Sequence, residues 1–182
     1  MNGKLTIILG PMFAGKSTYI INEVKHYNSS DILVIKHLSD DRYQQNSIVS
    51  HDNISCPCIP YKTLSDMINN ENVKLRDVKT IFIDEAQFFS DLYDKVLYLI
   101  LVRKINVVLV GLDGDFERKA FGDGDLLKLI PLASYVHKFI SKCYICGQDA
   151  PFTKRLIASK EQIIVGGANI YQPACEEHFP NT

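Results

Sequence analysis

Gly10 to Ser17 read GPMFAGKS, which satisfies G-x-x-x-x-G-K-[ST], and the stretch lies between an apolar run, Leu5 to Leu9, and a segment with helical spacing, Ser17 to Tyr27. Nothing else in the chain constrains its fold as tightly. The glycines let backbone N–H groups wrap a phosphate, and the helix that follows turns its positive end toward it. Lys16 reaches the β and γ phosphates, and the Ser17 hydroxyl suits Mg²⁺. The motif works only as strand, loop and helix in that order, so a nucleoside triphosphate site at the edge of an α/β sheet is expected.

The rest of the chain keeps the same alternation. Ile- and Val-rich runs at Ile32 to Ile35, Ile81 to Ile83 and Val107 to Val110 suit parallel strands covered on both faces. Helical spacing falls between them at Leu64 to Asn69 and from Ser90, read as an N-cap, to Lys104. The fold class is therefore α/β, a P-loop NTPase core with a parallel, RecA-like sheet joined by right-handed crossovers. A further strand-like run follows at Val136 to Ile140. After it the texture changes to cysteine pairs and polar stretches, so a boundary is expected near residue 142, with a nucleotide-binding domain at 1–142 and a small zinc-binding domain at 143–182.

A P-loop requires a carboxylate at the end of a neighbouring strand to hold magnesium, and Asp84, directly after Ile81 to Ile83, takes that place. Glu85 is then a second acid that the metal does not explain. A glutamate there can orient an attacking water, as in a nucleic-acid-dependent ATPase, or take the proton from a substrate hydroxyl, as in a small-molecule kinase. Its surroundings carry aromatic residues: Phe88 and Phe89 follow at once, and Phe116 and Phe121 flank ERKA in the glycine-bounded loop GLDGDFERKAFGDGD. That loop follows a strand and opens at the carboxyl edge, where planar ligands find apolar faces.

Composition separates these options in part. The 182 residues carry 20 basic and 21 acidic side chains, a formal charge of -1, without a basic stripe of the kind that grips nucleic acid. The longest apolar run, Val96 to Val102, falls well short of the roughly 20 residues that span a bilayer. Neither a nucleic-acid nor a membrane partner is expected. The five cysteines are an odd number, and the close spacing within Cys56/Cys58 and Cys143/Cys146 argues for a reduced, intracellular setting. Cys56 to Cys58, with His51 and Asp52 before them, read as structure.

CYIC, Cys143 to Cys146, and CEEH, Cys175 to His178, each set two soft ligands three apart, and together they form a Cys3His tetrahedron for one structural Zn²⁺. The interval between the pairs exceeds the roughly 15–20 residues of a compact ribbon, so a segment containing TKRL and the strand-like IIVGGANIY is looped out. Closed over a substrate, such a loop would expel water and favour an alcohol as acceptor.

With GPMFAGKS, DDRY, DEAQFF, GLDGDFERKAFG, TKRL, GGANIY and both ligand pairs in order, nearly the whole chain resembles the type II thymidine kinases, a family of cytosolic and large-DNA-virus enzymes. The resemblance implies transfer of the ATP γ-phosphate to the 5'-hydroxyl of thymidine, and of deoxyuridine as a second substrate, in pyrimidine salvage. It implies that Gly10, Pro11, Met12, Phe13, Ala14, Gly15, Lys16 and Ser17 hold the phosphates with Asp40, Arg42, Asp84 and Gln87, that Ser17 and Asp84 serve magnesium, and that Glu85 is the general base. Met12, Phe88, Phe116 and Phe121 would line the thymine slot, and Gln162, Ile163, Ile164, Val165, Gly166 and Tyr171 would close over the nucleoside. Arg155 is a further candidate for the phosphate side. A homotetramer, feedback inhibition by thymidine triphosphate and a cytoplasmic location, the host cytoplasm for a viral member, are also implied. His178 stands where the family often has cysteine, and Ala86 where many members have glycine.

Overall fold

The structure is a computed structural model that describes residues 2–39, 46–50 and 54–179. Asp40, Arg42, His51 and Asp52 lie outside the described residues.

Each of the four apolar runs becomes a parallel strand. In chain order the strands of the first part are β1 (Leu5–Leu9), β2 (Ile32–His37), β3 (Ser47–Val49), β4 (Ser55–Pro57), β5 (Ile59–Tyr61), β6 (Thr80–Asp84), β7 (Asn106–Gly111) and β8 (Tyr135–Lys138). Six of them form one sheet in the order β5-β2-β6-β7-β1-β8. All its pairings are parallel, so every carboxyl end lies along one edge. β3 and β4 make a separate antiparallel hairpin.

Side chains leave a strand alternately to its two faces, and the core divides accordingly. Leu5, Ile7, Ile35, Ile81, Ile83, Val107 and Leu109 enter one cluster with residues of α2 (Leu64–Ile68), α3 (Leu92–Leu97) and α4 (Asp125–Lys128). Ile8, Val34, Phe82, Val108 and Val110 enter the other, with Ile20 and Ile21 of α1 (Lys16–Glu23) and with Ile48, Cys56 and Cys58. The two cysteines are thus core residues, as expected, and burial, then the Asp84 charge, pushes the Cys56 thiol up to about 11.

The helices differ in detail from their expected spans. α1 ends at Glu23 and tightens into a 3-10 turn, Val24–His26. Asp91 and not Ser90 holds the N-cap position of the third helix, without a side-chain cap bond to it, and the last turn widens into a π turn, Tyr98–Val102. The Asp91 carboxylate serves a neighbouring helix end instead. It accepts from the N–H of Leu64 at 2.9 Å and of Ser65 at 2.8 Å, and from the Ser65 hydroxyl at 2.7 Å. These orphan N–H groups at the start of α2 are further answered by a capping box between Thr63 and Asp66.

The strand expected at Val136 to Ile140 is β8, one residue earlier and exposed along its length at the sheet edge. Beyond it, β9 (Ser141–Lys142) pairs with β10 (Asp149–Ala150), and β11 (Phe152–Arg155) pairs antiparallel with β12 (Tyr171–Ala174). The strand-like IIVGG run is irregular instead. Side chains of Arg155 and Tyr171 take the carbonyls of Glu161, Gln162 and Ile164, leaving no ladder for a strand to join. Among the described residues no helix is long and apolar enough to cross a membrane.

Candidate active site

The P-loop leaves β1 at the carboxyl edge of the sheet. Gly10 has φ 147, and a Cβ there would lie 2.5 Å from the Phe139 carbonyl oxygen, so the tight exit from the strand requires glycine. Lys16 folds back over the loop, its Nζ donating to the carbonyls of Gly10 at 3.0 Å and Pro11 at 2.6 Å. The loop, Ser17 and the buried Asp84 line a cleft of about 520 Å³ together with Val165 to Ala168. Ser17 and Asp84 thus share one cleft and offer a hydroxyl and a carboxylate, the hard oxygen donors that Mg²⁺ takes.

Glu85 sits at the turn out of β6 with φ 52, a left-handed conformation, and its N–H donates to the Asp84 carboxylate at 3.0 Å. Gln87, expected on the ATP side, is engaged differently. Its Nε2 donates to Glu85 Oε2 at 2.6 Å, while its Oε1 accepts from Leu112 N–H at 3.0 Å. The amide therefore hangs the Glu85 carboxylate from the end of β7. Gly111 makes room for it, since a Cβ there would meet Gln87 Oε1 at 2.5 Å and Leu126 Cδ2 at 2.8 Å.

A second cavity lies beside the first and collects Met12, Phe88, Phe116, Phe121, Gln162, Ile163, Ile164, Val165, Gly166 and Tyr171. Residues scattered over most of the chain thus meet in one narrow slot with largely apolar and aromatic walls. Phe88 and Phe121 cross edge to face at 5.6 Å. Met12, Glu85, Leu112, Val165 and Gly166 line both cavities, so the two spaces are neighbours that share these walls, Glu85 among them.

Three residues around this site had no role of their own in the sequence: His37 lies in no motif, and Asp115 and Thr153 lie unassigned within GLDGDFERKAFG and TKRL. His37, at the end of β2, packs edge-on against Phe89 at 4.9 Å and tilted against Phe88 at 5.9 Å. Its Nε2 faces the Lys62 carbonyl at 3.1 Å and so carries the proton, which leaves Nδ1 to accept from the N–H of Ser39 at 3.2 Å. Burial pushes this imidazole below its usual pKa, against the smaller opposing pull of the Lys62 carbonyl and the Glu85 charge, consistent with a neutral ring. Asp115, 4% exposed, shapes the aromatic loop by accepting from the N–H of Glu117 at 2.8 Å and of Lys119 at 2.9 Å. The Thr153 hydroxyl accepts from Met12 N–H at 2.9 Å and joins β11 to the P-loop.

Arg155 is not placed on the phosphate side. Its guanidinium stacks 3.6 Å from the Phe116 ring centroid and bonds the loop that covers the second cavity.

The expected zinc ligands converge. Sγ of Cys143, Cys146 and Cys175 and a ring nitrogen of His178 all lie within 4.8 Å of one another. Four ligands about 2.3 Å from a common centre stand about 3.8 Å apart in a tetrahedron. The observed separations include 3.7 Å between Cys146 and Cys175 and 3.8 Å between Cys143 and His178, so the cluster fits Zn²⁺. Burial would raise the Cys143 thiol, but backbone N–H groups of Cys146, Cys175 and Ile145 bring it down to about 6, favouring the thiolate that a metal needs. The cluster sits at the foot of the β11–β12 pair. Arg118, from the aromatic loop, lies over the rings of Phe152 at 5.3 Å and Phe179 at 4.9 Å, tying this module to the site.

A parallel sheet with a P-loop and a strand-end acid pair, beside an aromatic slot, defines a P-loop enzyme of kinase type. A family model described as thymidine kinase matches residues 3–179. The thymidine kinase of Yaba monkey tumor virus is 42% identical over 176 residues, 96% of this chain and 93% of the relative. A rice thymidine kinase is 38% identical over 97% of this chain, which spans 66% of that relative's length. The human cytosolic thymidine kinase is 37% identical over 95% of this chain and 71% of its own. The chain belongs to the thymidine kinase family.

Proposed function

We propose that this chain transfers the γ-phosphate of ATP to the 5'-hydroxyl of thymidine, with deoxyuridine as a second substrate, as a step of pyrimidine salvage. The observation that carries the reading is that Glu85 lines both the phosphate cleft and the aromatic slot. A hydroxyl on a nucleoside in the slot would meet a γ-phosphate in the cleft at that carboxylate.

In this reading Gly10 to Ser17 wrap the phosphates and Lys16 turns from its carbonyl partners toward them. Ser17 and Asp84 would hold Mg²⁺, which neutralises charge on the phosphates, and Asp40 and Arg42 would act near them. Glu85, held by Gln87, takes the hydroxyl proton, and the alkoxide oxygen attacks phosphorus in line as the bond to the leaving ADP oxygen breaks. Phe88, Phe116 and Phe121 hold the pyrimidine, and the backbone of Gln162 to Gly166 covers it. Excluding water from the junction favours transfer over hydrolysis. The Cys3His site, holding Zn²⁺, would fix the ends of the covering segment as part of a module at 143–182 appended to the nucleotide-binding part at 1–142. Feedback inhibition by thymidine triphosphate, a homotetramer and a cytoplasmic location complete the proposal.

The test is to incubate the protein with ATP, Mg²⁺ and thymidine and to identify the product by ³¹P NMR. A new phosphomonoester on the 5' carbon is expected. Inorganic phosphate as the only product would refute the reading.

A further inference from the structure

We infer that Arg155 is a positioning residue that holds the nucleoside-covering loop closed and sets thymidine affinity without acting on ATP. The inference rests on the reading that the aromatic slot takes thymidine.

Arg155 is 8% exposed, and burying a guanidinium costs several kcal/mol unless its donors are answered. Here the two terminal nitrogens are answered by loop carbonyls and the Tyr171 hydroxyl, while the buried Nε has no partner among the described residues. Nη1 donates to Glu161 O, and Nη2 donates to Gln162 O and to the Tyr171 hydroxyl, both at 2.8 Å. The Tyr171 hydroxyl in turn donates to Ile164 O at 2.9 Å. Two side chains therefore grip three carbonyls in a stretch that has no strand partner.

The same cation fixes the wall opposite. Its Cζ lies 3.6 Å from the centre of the Phe116 ring, which lines the slot while Arg155 itself does not. The guanidinium backs the ring and holds its plane. Gln162 closes the far side, donating through Nε2 to Asp115 Oδ2 at 2.7 Å and to Ala120 O at 2.9 Å. One buried cation thus joins the covering loop, Tyr171 and the aromatic loop. Lysine cannot replace it, because an ammonium has neither the flat face for Phe116 nor the fork that reaches separate carbonyls.

The experiment compares Arg155→Lys, Tyr171→Phe and the double variant with the wild-type protein in steady-state phosphorylation, with zinc content and melting measured for each. Arg155→Lys is expected to raise the thymidine KM about 10- to 100-fold, about what the loss of one charge-assisted hydrogen bond represents. The ATP KM stays within about twofold, and zinc remains at the wild-type level. Because both residues grip one loop, the double variant is expected to raise KM by less than the product of the single effects. Thymidine should protect residues 156–167 of the wild type from proteolysis, and should protect them less in Arg155→Lys.

A thymidine KM within twofold of wild type in folded, zinc-loaded Arg155→Lys overturns the inference. So does a parallel rise in the ATP KM, which would return Arg155 to the phosphate side. If Arg155→Lys does not accumulate folded, Tyr171→Phe carries the test: a raised thymidine KM with reduced protection of 156–167 supports the inference, and an unchanged KM with full protection overturns it. Failure of the wild-type protein to phosphorylate thymidine would instead refute the proposed function, a separate result.

Discussion

Glu85→Gln is the sharpest perturbation of the site, because it removes a proton acceptor while keeping an oxygen for the Gln87 amide. The Gln87 amide that donates to Glu85 Oε2 at 2.6 Å can also donate, more weakly, to the carbonyl oxygen of a glutamine. Gln87 keeps its second bond, from Leu112 N–H, so the new side chain stays where the carboxylate was. What disappears is general-base catalysis, worth about 10²- to 10⁴-fold. That corresponds to about 3–5 kcal/mol of transition-state stabilisation. The effect should fall on kcat, with the KM for ATP and for thymidine changed by no more than a few fold, because neither ligand needs the ionised carboxylate in order to bind. Single-turnover transfer from γ-labelled ATP separates the chemical step from product release. A single-turnover rate within tenfold of wild type would remove Glu85 from the base role and leave it a merely structural acid.

Gly111→Ala, although one methyl group and not itself a ligand, should lower kcat about tenfold or more, since its Cβ occupies the place of Gln87 Oε1; unchanged kinetics would show that Gln87 does not position Glu85. Cys143→Ser should abolish stoichiometric zinc by metal analysis, lower the melting temperature and raise the thymidine KM, whereas full zinc content would refute the Cys3His site. Asp91→Ala removes three accepted bonds at the start of α2 and should destabilise by about 1–3 kcal/mol, read by urea unfolding. Although burial would raise the Asp91 carboxyl, the bonds from Ser65 and Leu64 hold it below its usual value. Its contribution to stability is therefore present above the ordinary carboxylate range and is lost as pH falls through the lowered value, so the gap between wild type and Asp91→Ala should shrink in acid.

What could be read from the chain alone was whatever neighbours in sequence settle. The strand-loop-helix around Gly10 to Ser17, the acid pair at the end of β6 and the two ligand pairs each owe their geometry to a few consecutive residues. The roles of single side chains depended on partners far away. Gln87 meets Leu112, 25 residues on, Gln162 meets Asp115 across 47, and Met12 meets Thr153 across 141. No local pattern encodes those meetings, so Gln87 and Arg155 were expected on the phosphate side, and His37, Asp115 and Thr153 were not singled out. The IIVGG run shows the converse error. Its apolar texture suits a strand, yet Tyr171 takes the Ile164 carbonyl and Arg155 those of Glu161 and Gln162 just before the run, a competition that only the folded β11–β12 pair creates. Asp91, at the N-cap position expected for Ser90, likewise spends its carboxylate on α2, 26 and 27 residues away, and not on its own helix.

The central claim is that the neighbouring cavities bring an alcohol, and not water, to the phosphate. ADP release in ATP and Mg²⁺, measured with thymidine, with other nucleosides and with single-stranded DNA added in turn, tests it most directly. The expected result is slow release alone and with DNA, and a large stimulation by thymidine with one nucleotide product formed per ADP. Release stimulated by DNA and indifferent to thymidine would contradict the account.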